Sequence, residues 1–152
     1  MTRPHNLATI SYMKPMSLRR FGSIVRRVME TLPEEFYPHM ENVVVDVAEE
    51  PDEEFLRRAG FSDEEIAAGA SLLGLFEPMP MPSVWGGEAF HVHDMQHRLW
   101  IFKNPHEEEF TDPKRLRIEI RKTVIHELAH HFGFNERDLE KFDAKEDPFG
   151  ER

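Results

Sequence analysis

Asp112-Pro113-Lys114-Arg115-Leu116-Arg117-Ile118-Glu119-Ile120-Arg121-Lys122-Thr123-Val124-Ile125-His126-Glu127-Leu128-Ala129-His130-His131-Phe132-Gly133 is the stretch that decides the fold. Asp112 is suited to cap a helix and Pro113 to open it, because a first-turn residue needs no backbone N–H. Leu116, Ile118, Ile120, Val124, Ile125, Leu128, Ala129 and Phe132 carry the apolar pattern. Gly133 supplies a left-handed cap at the far end. The stretch therefore predicts a single helix of roughly 30 Å. In its second half the apolar residues take one side. His126 and His130 fall opposite, with Glu119 and Thr123 beside them and Glu127 at the edge.

The end of this helix reads H-E-x-x-H. Two histidines four apart are separated by one turn and about 40° of rotation, so both rings can reach one metal ion. Imidazole nitrogen suits zinc, which accepts the tetrahedral set that two such ligands begin. Glu127 is turned about 100° from His126 and is free to hold and deprotonate a water on the metal. A helix that used its histidines for core packing would not separate them from its apolar side.

Upstream, Ser17 caps an amphipathic helix through Leu18, Phe21, Ile24, Val25, Val28, Met29 and Leu32, stopped by Pro33. Pro33 to Met40 reads as a connector with at most a short turn of helix. Asn42 to Val47 is rich in β-branched residues and predicts a largely buried strand. The acidic run from Glu49 to Glu54 reads as a solvated loop or helix start. Phe55 to Ala59 predicts one or two helical turns ending at Gly60. Ser62 and Glu65 fit a capping box for a short helix to about Ala70. Leu72 to Phe76 is ambiguous between helix end and strand. Pro78, Pro80 and Pro82 alternate with methionines and predict an extended loop, packed on the core or shaping a cleft. His91, His93 and His97 are spaced so that an extended segment could bring His91 and His93 to one face, although polar side chains at a strand or loop edge account for them as well. Arg98 to Phe102 predicts a strand, Lys103-Asn104-Pro105 its end, and His106 to Phe110 an acidic loop.

Downstream, Asn135 to Phe142 predicts a short helix, and 143–152 a polar, poorly ordered tail, as is expected of residues 1–15. The length of 152 residues fits a single domain, 1–152, with no internal repeat. A net charge of -10 disfavours nucleic acid and anionic membrane surfaces as partners. The absence of cysteine rules out disulfides and thiolate metal sites, so ligands must be His, Asp or Glu. With no apolar run long enough for a membrane span and no signal-like N-terminus, the expected location is the cytoplasm.

On His126, Glu127, His130, His131 and Gly133 the chain resembles the small zincin-like metallopeptidases, a bacterial family of compact proteins. Their motif is usually written H-E-x-x-H-x-x-G-x-x-D, and Glu136 stands here where the family has Asp. The likeness extends through Ile120 to Ile125, Leu99 to Phe102, Leu72 to Phe76 and Leu32 to Phe36. It implies an α+β, minimal zincin-like fold: a small mixed sheet packed on a long active-site helix, plus the N-terminal amphipathic helix. The last methionine is Met95, upstream of the motif, so a Met-turn is not expected.

The resemblance and the turn at Gly133 together point to Glu136 as third protein ligand beside His126 and His130, with Asp138 as runner-up and Glu140 or an upstream histidine as further alternatives. His131 is turned about 100° from His130, too far round to share its metal. The expected function is a zinc-dependent metallopeptidase with one Zn2+ per chain and Glu127 as general base, acting on a peptide or protein substrate. The substrate would lie along an edge strand near Leu99 to Phe102. The alternative is a non-catalytic zinc-binding regulatory or interaction module on the same scaffold.

Overall fold

The computed structural model describes residues 15–78 and 96–143. The segment with His91 and His93, and most of the proline-rich loop, lie outside the described residues. Helix α1 (Leu18–Met29) starts at Ser17, whose side chain accepts from the Arg20 N–H, and buries Phe21, Val25 and Val28. The connector after it forms a 3-10 helix, Glu34–His39, with Phe36 fully buried. Strand β1 (Val43–Ala48) follows. Two short helices, α2 (Glu53–Arg58) and α3 (Asp63–Ala67), have the expected caps: Asp52 for α2, and the Ser62–Glu65 box for α3. Leu72 to Phe76 resolves as a strand, β2 (Gly74–Glu77). Strand β3 (His97–Phe102) runs directly into α4 (Lys103–Glu109). The long helix α5 (Pro113–Phe132) and the short α6 (Glu136–Asp143) complete the order.

The architecture is α+β. The sheet has the order β1-β3-β2, with β1 parallel and β2 antiparallel to β3. α5 packs on this sheet, and α1 packs on both β1 and α5. Fully buried Phe21, Phe36, Leu99, Ile101, Ile120, Ile125 and Leu128 fill the space between.

Three expectations are corrected. His106 to Phe110 is not a loop, because α4 occupies Lys103–Glu109. Pro105 is tolerated there since first-turn amides have no partner within the helix. His106 is fully buried, and its Nδ1 binds the Phe102 carbonyl at 2.8 Å. Strand β1 is half-buried along its whole length, not largely buried, because it lies at a sheet edge. Finally, Leu99 to Phe102 belongs to the central strand and has no free edge for a substrate; among the described residues, β2 has one.

Helix α5 lies along β2 at close range. A Cβ on Gly74 would stand 2.9 Å from Thr123 Cγ2 and 3.1 Å from the Trp100 carbonyl, so glycine lets the helix approach. Two turns further along α5, the His131 ring stacks on Phe76 with centroids 3.9 Å apart. Thr123, Glu127 and His131, spaced four apart, therefore form the stripe of α5 that faces β2.

Helix α5 stops at Gly133, which adopts φ 87°. The Phe134 N–H reaches the Ala129 carbonyl and the Gly133 N–H the His130 carbonyl, closing the last turn. α6 then packs back on α5. Phe36 anchors it, with its ring 5.2 Å from Phe134 and 5.1 Å from Phe142. Asn135 and Asp138 exchange side-chain hydrogen bonds with each other's backbone N–H, which fixes the first turn of α6.

Candidate metal centre

The side of α5 expected to be buried is buried: Leu116, Ile120, Val124, Ile125, Leu128 and Ala129 face the core. His130 is exposed, and His126 keeps 39% of its side chain accessible. The two rings thus occupy the solvent-facing side, one turn apart.

Glu127 sits between that side and the stripe facing β2. Burial pushes its carboxyl above the usual carboxylate range. The positive charge of His130, a backbone N–H of Phe76 and the charge of His126 pull it back in part. The Phe76 N–H points toward the open side of the sheet. The Phe102 N–H donates to the Leu73 carbonyl, so residues 73 and 75 pair with β3, while Gly74 and Phe76 turn their backbone groups outward. The motif carboxylate therefore rests on the side of β2 that no other described strand covers.

Among the described carboxylates, Asp143 is the one bonded to a motif histidine. His126 Nε2 lies 3.0 and 3.1 Å from its two oxygens. Asp143 is the last described residue of α6 and is helical, whereas the sequence predicts a poorly ordered tail from this residue onward. Glu136 opens α6 and is exposed; among the described residues it has no hydrogen bond or ion pair. Asp138 uses its carboxylate on the Asn135 N–H. His131 is turned to Phe76 and lies 5.0 Å from the His97 ring.

Arg121 is not singled out by the sequence. It is only 5% exposed and binds the Thr31 carbonyl and hydroxyl at 2.9 and 3.2 Å. Burial lowers the pKa of its guanidinium, and the charge of Asp143 acts in the opposite direction. His106 escapes the sequence as well; its Nε2 meets Thr123 Oγ1 at 2.9 Å. A signal exists for neither, since a lone Arg or His on a helix is ordinarily solvated.

Among the described residues, no three His, Asp or Glu side chains converge closely enough to hold an ion. The donor set nonetheless fits zinc. It offers imidazole nitrogens and a carboxylate with no competing thiolate. Two ligands at about 2.0–2.1 Å from a tetrahedral ion stand about 3.3 Å apart. His126 and Asp143 are already within a few tenths of an ångström of that separation.

The zincin-like metallopeptidase family profile matches residues 40–145, well over half of the chain. The chain belongs to that family. No curated protein matches it significantly. Among solved structures, it is similar to a conserved hypothetical protein from T. thermophilus at 21% identity, with a TM-score of 0.49. That likeness covers 77% of this chain and 94% of the other. No helix among the described residues is long and apolar enough to cross a membrane.

Proposed function

We propose that the chain is a zinc-dependent peptidase acting on a peptide or protein substrate. His126 and His130 would hold one zinc ion, joined by a carboxylate from the segment after Gly133. Zinc, when bound, lowers the pKa of a water toward neutrality and polarises the scissile carbonyl. Glu127 takes the proton of the attacking water and returns it to the leaving amine. Its raised pKa matches that role, since a base works best with a pKa near the working pH. The edge of β2, uncovered among the described residues, receives an extended peptide through the outward backbone groups of Gly74 and the Phe76 carbonyl, the Phe76 N–H being engaged by Glu127.

The observation that carries this reading is the place of Glu127. A half-buried carboxylate on the helix face between metal-type histidines and a strand edge uncovered among the described residues has a use in hydrolysis. A non-catalytic zinc module would need only the histidines and their third ligand. The test is digestion of a peptide library by zinc-loaded protein, beside the same protein stripped by a chelator. Cleavage that disappears on stripping and returns with zinc is the expected result. Cleavage indifferent to zinc, or none with zinc bound, favours the non-catalytic module.

A further inference from the structure

We infer that His106 and Thr123 form a proton-operated switch in the turn of α5 that precedes the H-E-x-x-H residues; the inference does not depend on the zinc reading. His106 is fully buried, and both of its ring nitrogens are engaged. Nδ1 lies 2.8 Å from the Phe102 carbonyl, which can only accept, so Nδ1 carries a proton. In the neutral ring Nε2 then bears the lone pair, and the Thr123 hydroxyl 2.9 Å away donates to it. The same hydroxyl lies 3.1 Å from the Glu119 carbonyl, one turn back on α5. It has one proton and two acceptors, and the charge on His106 decides between them.

When His106 takes up a proton, Nε2 becomes a donor and Thr123 Oγ1 its acceptor. The hydroxyl proton is then released to the Glu119 carbonyl. A threonine bonded back to the carbonyl four residues earlier destabilises a helix slightly and tends to bend it. Here the bend falls three residues before His126. Thr123 has no second orientation to escape into, because its methyl group packs where Gly74 lacks a side chain. Around the His106 ring, α1 contributes Phe21, with centroids 5.9 Å apart, and Phe110 lies 6.3 Å away. From β3 it meets the Phe102 carbonyl. The charged group acting on it from α5 is Glu119, itself paired with Arg115 and Lys122. On α4, Lys103 is taken up by Glu49 and Glu107. Burial among these rings keeps His106 neutral near neutral pH, and the Glu119 carboxylate favours the charged form as acid is added.

Nuclear magnetic resonance on the isotope-labelled full chain tests the switch. Near neutral pH, long-range proton–nitrogen spectra should place the His106 proton on Nδ1. As pH falls, the backbone carbonyl carbon of Glu119 should shift in step with the His106 ring. Thr123→Val keeps the branched shape and the methyl contact with Gly74 but has no hydroxyl. In that variant the Glu119 carbon should no longer follow the ring, and Thr123→Ser should restore the response. A His106 proton on Nε2 near neutral pH overturns the assignment. So does a Glu119 carbon that moves equally in Thr123→Val, or a ring that stays neutral until the chain unfolds. Where Thr123→Val does not fold, the tautomer in the parent and the parallel titration of ring and carbonyl still decide.

Discussion

Helices α5 and α6 bring His126 and Asp143 together by different routes. α5 carries His126, Glu127 and His130 by its own periodicity: the spacing that buries Ile125 and Leu128 also turns the histidines outward. α6 delivers Asp143 only through tertiary structure. Its place depends on the left-handed Gly133, the Asn135–Asp138 cap and the Phe36 cluster. A function built on a helical repeat can be read locally. A function built on a chain reversal needs to be seen in three dimensions.

The difference predicts unequal sensitivity. Ile125→Ala removes a fully buried side chain from the core face of α5 and should destabilise the fold by about 2–5 kcal/mol, measured by urea unfolding. A loss under about 1 kcal/mol would mean that α5 is not the structural spine of the domain.

The β2-facing side of α5 should respond to acid through His106. Burial lowers its pKa from the ordinary value of about 6.5, with the Phe102 carbonyl and the charge of Glu119 opposing in part. A depressed histidine contributes stability that is present above its unfolded pKa and is lost as pH falls through the folded one. Stability should therefore decline below about pH 6.5, and His106→Gln should flatten the decline. The decisive quantity is the difference between the two curves. Parallel curves would remove His106 as the cause.

The smallest effect belongs to α6. Asn135→Ala deletes one half of the reciprocal cap and should cost about 1 kcal/mol, with little change in the α5 core. The loss is read from urea unfolding, where the cap holds the first turn of the helix. A stability equal to that of the parent would show that the reciprocal cap does not hold α6 in place.

Much of the fold is legible from sequence because its signals are local. Ser17, Asp112 and the Ser62–Glu65 box are caps, and each starts the helix expected of it. Gly133 needs positive φ and has it. The features that escape are non-local. β3 lies between two edges, which no pattern in Leu99 to Phe102 reveals. α4 hides behind Pro105, a residue that breaks helices everywhere except in the first turn. Asp143 lies in a polar run that reads as a tail, and its partner is 17 residues back along the chain. Arg121 looks like one more surface cation until α1 covers it.

Glu127 is the residue on which hydrolysis at this helix would depend most directly. Glu127→Gln keeps the shape of the side chain but cannot take a proton, so the zinc-loaded variant should retain its metal and lose turnover of a cleaved peptide by about 100-fold or more. Turnover equal to that of the parent, with zinc content also equal, would show that Glu127 is not the base and that the half-buried carboxylate on the edge of β2 serves some other purpose.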